Sequence, residues 1–311
     1  MDQATYLSRA ALMFLSRREG LKDVATEVPA LRRIARRFIA GESLEEAVAA
    51  VKELNARGLT VSFDHLNEAV RNDAETHDEV LEYLRLLARI DQVGVRGNVS
   101  LKLTQCGLLF DPALALANAR EVVAEAKRRD TFVRVDMEHS AVTQATLDVV
   151  RTLHREFGER HVGAVLQSYL YRTEADARAL CAEGIRIRLC KGAYLEGRDV
   201  AFQEKTAVDD SFVRTMHVLL DSGLYHGIAT HDERMVEQTL AYARKKGLPR
   251  GAFEFQMLYG IRRDLQERLA GEGWPVRVYV PYGKHWYPYF MRRLAERPAN
   301  VWFVMKNFLK G

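Results

Sequence analysis

Near the end of the chain, Tyr289, Arg292, Arg293 and Glu296 are spaced i, i+3, i+4 and i+7, which on a helix places them on one face. A ring, two guanidinium forks and a carboxylate along one stripe suit the capture of a small anion. Each guanidinium offers parallel N–H donors matched to a carboxylate, and the glutamate offsets the repulsion between the two cations. The same spacing also fits a surface helix with an ordinary Arg293–Glu296 ion pair. Pro288 suits the first turn of such a helix and Pro298 its end.

Other groups capable of chemistry fall at the ends of short apolar runs. Lys102 lies in "SLKLT"; Asp136, Glu138 and His139 in "VRVDMEHS"; Gln167 in "VGAVLQSYL"; Arg188 and Lys191 in "GIRIRLCKGAY". Thr230, His231 and Asp232 end "HGIATHD", Glu254 and Gln256 lie in "AFEFQMLYG", and Tyr279 in "VRVYVPYG". Singly, each has a bland account as a wet strand end or a paired interior group. Gathered around one mouth they describe a site.

The elements that would gather them are legible. From residue 59 on, eight β-branched runs alternate with amphipathic helical stretches such as "DPALALANAREVVAEAKRRD" and "DERMVEQTLAYARKKG", with Gly223 and Gly247 where helices should end. Repeated strand-then-helix units imply a parallel sheet with right-handed crossovers. Eight units in this length fit an α/β fold of the (β/α)8 TIM type, whose chemistry sits at the C-terminal ends of the strands. An open doubly wound sheet is the competing arrangement. Residues 1–58 read as helices only, an N-terminal arm; its last helix opens with Ser43 and Glu46 spaced as a capping box and closes at Gly58. Residues 59–311 form the barrel with its C-terminal helix, one structural unit with the arm.

Composition narrows the classes. The 311 residues are 48% hydrophobic and 28% charged, an ordinary globular balance. A net charge of +4, from 46 basic and 42 acidic residues, with no dominant basic face, argues against nucleic acid as a partner. Cys106, Cys181 and Cys190 lack metal-ligand spacing and read as reduced thiols, so no metal is expected. No dinucleotide or P-loop glycine motif, zinc-protease signature or nucleophile elbow occurs.

The strings "RIRLCKGAYLE", "ATHD", "FEFQMLYG", "VRVYVPYG" and "YPYFMRRLAERPAN", with "SLKLT" and "VRVDMEHS", together resemble the proline dehydrogenases, particularly the short monofunctional bacterial members. The resemblance implies a distorted barrel that binds FAD without a Rossmann motif. It implies oxidation of L-proline to 1-pyrroline-5-carboxylate, with hydride passing from C5 to the flavin N5 and electrons onward to a membrane quinone. On the same resemblance, Arg292, Arg293 and Lys102 clamp the proline carboxylate, while Tyr289, Tyr279, Tyr194 and Leu258 enclose the ring and Glu296 pairs with the cations. Asp136 and Arg188 take catalytic roles, with Arg188 beside N5. Met137, Gln167, Lys191, Gly192, Ala193, Thr230 and His231, together with Arg188, contact FAD. Cys190 stands where an aliphatic residue is common, and Asn67 where many members have glycine.

Reduced thiols and an N-terminus that makes a poor signal peptide point to the cytoplasm. A lipid quinone oxidant would add peripheral contact at the inner face of the membrane through the apolar "NVWFVMKNFLKG" of residues 300–311. Two other classes stay open on the residues alone. One is a Schiff-base aldolase using Lys102 or Lys191. The other is a non-catalytic barrel that binds an amino acid.

Overall fold

The computed structural model describes residues 35–67 and 70–296. Eight parallel strands close into a barrel in simple sequence order: β1 (Thr60–His65), β2 (Gly97–Leu101), β3 (Val133–Val135), β4 (Val162–Gln167), β5 (Arg186–Cys190), β6 (His226–Ala229), β7 (Phe253–Leu258) and β8 (Val276–Tyr282). Closure is by β1 against β8, in register from Thr60 opposite Arg277 to His65 opposite Tyr282. The open-sheet alternative is thereby excluded.

The helices are α1 (Leu44–Ala56), α2 (Asp73–Val93), α3 (Pro112–Arg128), α4 (Thr143–Phe157), α5 (Thr173–Ala182), α6 (Lys205–Asp221), α7 (Glu233–Lys245), α8 (Arg263–Gly271) and α9 (Trp286–Glu296). Their ends obey the expected local chemistry. Ser43 and Glu46 form the full capping box of α1, and Gly58, Gly223 and Gly247 all turn with positive φ just past helix ends.

The core lies in the layer between strands and helices. Val61, Phe63, Val99, Leu101, Val133, Val135, Ile187 and Leu189 are fully buried there against apolar stripes such as Ala115, Ala119, Val122 and Val123 of α3. Each such side chain stabilises the fold by about 1.5–3 kcal/mol through burial. Helix α1 joins this same core through Ala47, Val48, Val51 and Leu54, packing on β1 and β8.

Strand alternation sends the other residues toward the barrel axis, and that interior is polar. Ser62, Ser100, Arg134, Asp136, Arg188, Glu254 and Gln256 are all buried there. A second apolar cluster joins Ala35, Phe38, Ile39 and Leu66 to Trp286, Tyr287, Tyr289, Phe290 and Met291 of α9. It is tied down by Ala40 N–H donating to the Pro281 carbonyl and by Gly283 N–H donating to that of Gly41. The segment before α1 therefore braces the terminal helix across the barrel mouth. Residues 1–34 of the expected arm and the apolar stretch at 300–311 lie outside the described residues.

Candidate active site

Directly under α9, at the C-terminal ends of the strands, opens a cavity of about 530 Å³. Every expected site residue except Glu296 lines it. Lys102 comes from just past β2, Asp136 and Met137 from past β3, Gln167 and Arg188 from β4 and β5. Lys191, Gly192, Ala193 and Tyr194 come from the irregular loop after β5, Thr230 and His231 from past β6, Leu258 and Tyr279 from β7 and β8, and Tyr289, Arg292 and Arg293 from α9. Glu296 ends α9, and its side chain lies outside the described part.

The floor is one continuous charge network. The Asp136 carboxylate accepts from Arg188 Nη1 at 2.7 Å and from the Tyr279 hydroxyl at 2.6 Å, and lies 3.6 Å from Lys102 Nζ. Lys102 Nζ also donates to Asp64 and, at 3.3 Å, to the Tyr279 hydroxyl. Arg188 is held further by Gln256 and by the hydroxyls of Ser62 and Ser100, and its guanidinium carbon sits 5.2 Å from the centre of the Tyr279 ring. On α9, the Arg293 guanidinium lies 5.0 Å from the Tyr289 ring centre, an i, i+4 cation–π contact that directs the fork.

Ionisation follows from burial and these neighbours. Burial alone would depress the Lys102 ammonium, but the Asp64 and Asp136 carboxylates outweigh it and hold it well above the usual lysine value. Burial pushes the Asp64 carboxyl up, with Lys102 opposing. Burial and then the two aspartates push the Tyr279 phenol far up, so it stays a neutral donor. The Tyr194 phenol is pushed up to about 12, chiefly by burial and then by Glu138.

The opposite wall is built for close approach. Gly192 has φ +111°, and a Cβ there would run into the Tyr169 ring. Its loop is fastened across the mouth by Glu196, which accepts from Ser140 N–H at 2.7 Å and from Ser140 Oγ at 2.5 Å. Lys191 is gripped by Asp209 at 2.5 Å and Asp232 at 2.8 Å, and Lys205 reaches the same two acids. Gln167 donates to the Glu138 carbonyl, and His231 Nε2 accepts from Leu258 N–H at 2.8 Å. Apolar Val165, Met137, Ala229 and Met257 complete the lining.

Sequence reading missed some members. Asp64, the penultimate residue of β1, pairs with Lys102. Its position at the end of "LTVSFD" was the available signal. Ser62 and Ser100 carry no signal of their own, being ordinary strand residues until closure brings them to Arg188.

This fold and a cavity joining basic, acidic and tyrosine side chains at the strand ends define a barrel enzyme class, and comparison with known proteins gives the family. The family profile described as proline dehydrogenase matches residues 47–306. The chain is 42% identical to a proline dehydrogenase of Deinococcus radiodurans, over 98% of this chain and 99% of that one. It is 40% identical to proline dehydrogenase 1 of Bacillus subtilis, over 97% and 99%. Among solved structures, proline utilization A from Bdellovibrio bacteriovorus, inactivated by N-propargylglycine, superposes with a TM-score of 0.79 at 25% identity, over 85% of this chain and 32% of that larger one. The chain belongs to the proline dehydrogenase family. Among the described residues, no helix is long and apolar enough to cross a membrane.

Proposed function

We propose that the protein oxidises L-proline to 1-pyrroline-5-carboxylate with FAD as its cofactor and a membrane quinone as the final electron acceptor. The observation that carries this reading is the single cavity in which Lys102, Arg292 and Arg293 meet Tyr194, Leu258, Tyr279 and Tyr289 over the Arg188–Asp136 pair. Proline is small, so its recognition depends on charge and shape. Charge-assisted hydrogen bonds from the cations to its carboxylate contribute about 1.5–3 kcal/mol each. The tyrosines and Leu258 position the ring, which matters more here than a strong base.

Met137, Gln167, Arg188, Lys191, Gly192, Ala193, Thr230 and His231 are the residues that would hold FAD. A glycine with positive φ, an apolar wall of Met137, Val165, Ala229 and Met257, and a buried guanidinium fit a planar ring system that gains negative charge. Bound FAD supplies the two-electron acceptor for the C5–H bond of proline. Arg188 provides fixed positive charge, held in place by Asp136, Gln256, Ser62 and Ser100. Asp136, anchored by Arg188 and Tyr279, is the carboxylate placed to take up the amine proton. Tyr194 stays protonated and closes the site from above, its loop latched by Glu196.

The Schiff-base reading fails on the same geometry. A lysine nucleophile needs a free amine, whereas Lys102 is held strongly protonated by Asp64 and Asp136, and Lys191 is engaged by two aspartates. An absorption spectrum of the purified protein tests the reading: flavin bands bleached by L-proline and not by NADH are expected. Protein that takes up no flavin, or whose flavin proline leaves oxidised, refutes it.

A further inference from the structure

Beneath the cavity, hydrogen bonds run down the barrel axis from Arg188 to the far end of β8. Arg188 Nε donates to Gln256 Oε1, and Gln256 Nε2 donates to Glu254 Oε1 at 2.6 Å. Glu254 is fixed in turn by Arg277 Nε at 2.7 Å and by the Tyr225 hydroxyl at 3.1 Å, while Arg277 Nη1 is tied to the Val61 carbonyl at 2.7 Å. Gln256 and Glu254 are two apart on β7, so both face the axis. On the neighbouring strand, a Cβ at Gly227 would strike the Gln256 amide nitrogen, so that glycine makes the space the amide occupies.

A primary amide presents an acceptor on one side and a donor on the other, and a half-turn exchanges them. Arg188 needs the acceptor. The Ser62 and Ser100 hydroxyls touch Arg188 Nη2 at 3.3 and 3.2 Å but can rotate to suit any position, so they impose no choice. Glu254 does impose one. It is 3% exposed and offers only acceptor oxygens, so an amide oxygen turned toward it would be repelled.

We propose that Glu254 is a positioning residue for Arg188: it locks the Gln256 amide with its oxygen toward Arg188 Nε and thereby fixes the guanidinium in the cavity floor. The reversed amide would set N–H against N–H and push Arg188 out of line. Glu254 itself does not border the cavity, whereas Gln256 does, and the inference rests on the flavoenzyme reading given above.

Three variants test it. Gln256→Met removes both ends of the amide. Gln256→Glu keeps an oxygen toward Arg188 but confronts Glu254 with a second carboxylate. The exchange E254Q/Q256E restores a donor–acceptor pair, since the amide now at position 254 can donate to the acid at 256, which still accepts from Arg188. Each is measured for the rate of flavin reduction by proline, the KM for proline, the FAD dissociation constant and the melting temperature.

The lock predicts that both single variants reduce flavin at least about tenfold more slowly and bind FAD more weakly. Their KM should stay within about twofold of the wild type, because the carboxylate clamp is untouched. Gln256→Glu should also gain a new pH dependence as two acids share one proton. The exchange should recover rate and FAD affinity together, while its melting temperature stays below the wild type because Arg277 loses its carboxylate partner. Wild-type rates in both single variants, or an exchange no better than Gln256→Glu alone, would overturn the proposal. If the wild-type protein binds no flavin, the functional reading fails instead, and a Gln256→Glu protein that melts with the wild type would still overturn the lock.

Discussion

Replacing Asp136 by Asn keeps the shape of the side chain and removes its charge. Arg188 is 6% exposed, and among the described residues Asp136 is its one anionic partner; Gln256, Ser62 and Ser100 are neutral. An Asn at this position can still accept from Arg188 and turn its amide toward the Tyr279 oxygen, so geometry survives while the charge pair does not. Leaving a buried cation unpaired costs about 3–5 kcal/mol. The adjoining cavity admits water, which sets the value near the lower bound, about 3 kcal/mol, or a melting temperature lower by about 5 °C for a chain of this size. Tyr279→Phe removes one hydrogen bond to Asp136 and leaves the pair intact, so its loss should be smaller, about 1–2 kcal/mol. For the reaction, a loosened Arg188 predicts flavin reduction about a hundredfold slower in Asp136→Asn. Calorimetric melting at pH 7 and stopped-flow bleaching with proline measure the two effects. An Asp136→Asn protein that melts with the wild type and bleaches at its rate would show that this carboxylate does not hold Arg188.

Two further outcomes follow from other parts of the structure. Gly192→Ala forces a side chain into the Tyr169 ring at φ +111°, a strain of about 1–3 kcal/mol, and should show as weaker FAD retention in equilibrium dialysis with the barrel otherwise folded. His226 is fully buried and is held neutral, its pKa lowered to about 3 by burial and then by Arg134 and Arg186. It accepts from Ile187 N–H at 2.9 Å and donates to Ser222 Oγ at 2.9 Å. The unfolded chain takes up this proton below about 6.5 and the folded chain does not, so this contribution is full above 6.5 and is lost as pH falls toward 3. His226→Asn, whose side-chain oxygen can still take the Ile187 N–H, should flatten the fall in urea stability between pH 6.5 and 4; an unchanged slope would refute the assignment.

Among the described residues, sequence order alone determined the eight strands and the helices between them, because period-two and period-3.6 patterns, the Ser43–Glu46 box and the terminal glycines are local signals. It also determined which groups stand at strand ends, and so nearly the whole lining of the cavity. The stripe of Tyr289, Arg292 and Arg293 could be seen in the chain, but not whether it faced solvent or the barrel axis. The packing of Phe38 and Ile39 on Trp286 and Phe290 decides that, and such a contact, between residues some 250 positions apart, leaves no periodic trace. Likewise, Ser62, Ser100 and Gln256 acquire their meaning only when closure of β1 on β8 brings separate strands around one guanidinium. Spacing records which residues share an element, whereas a site made from many elements exists only once the barrel has closed.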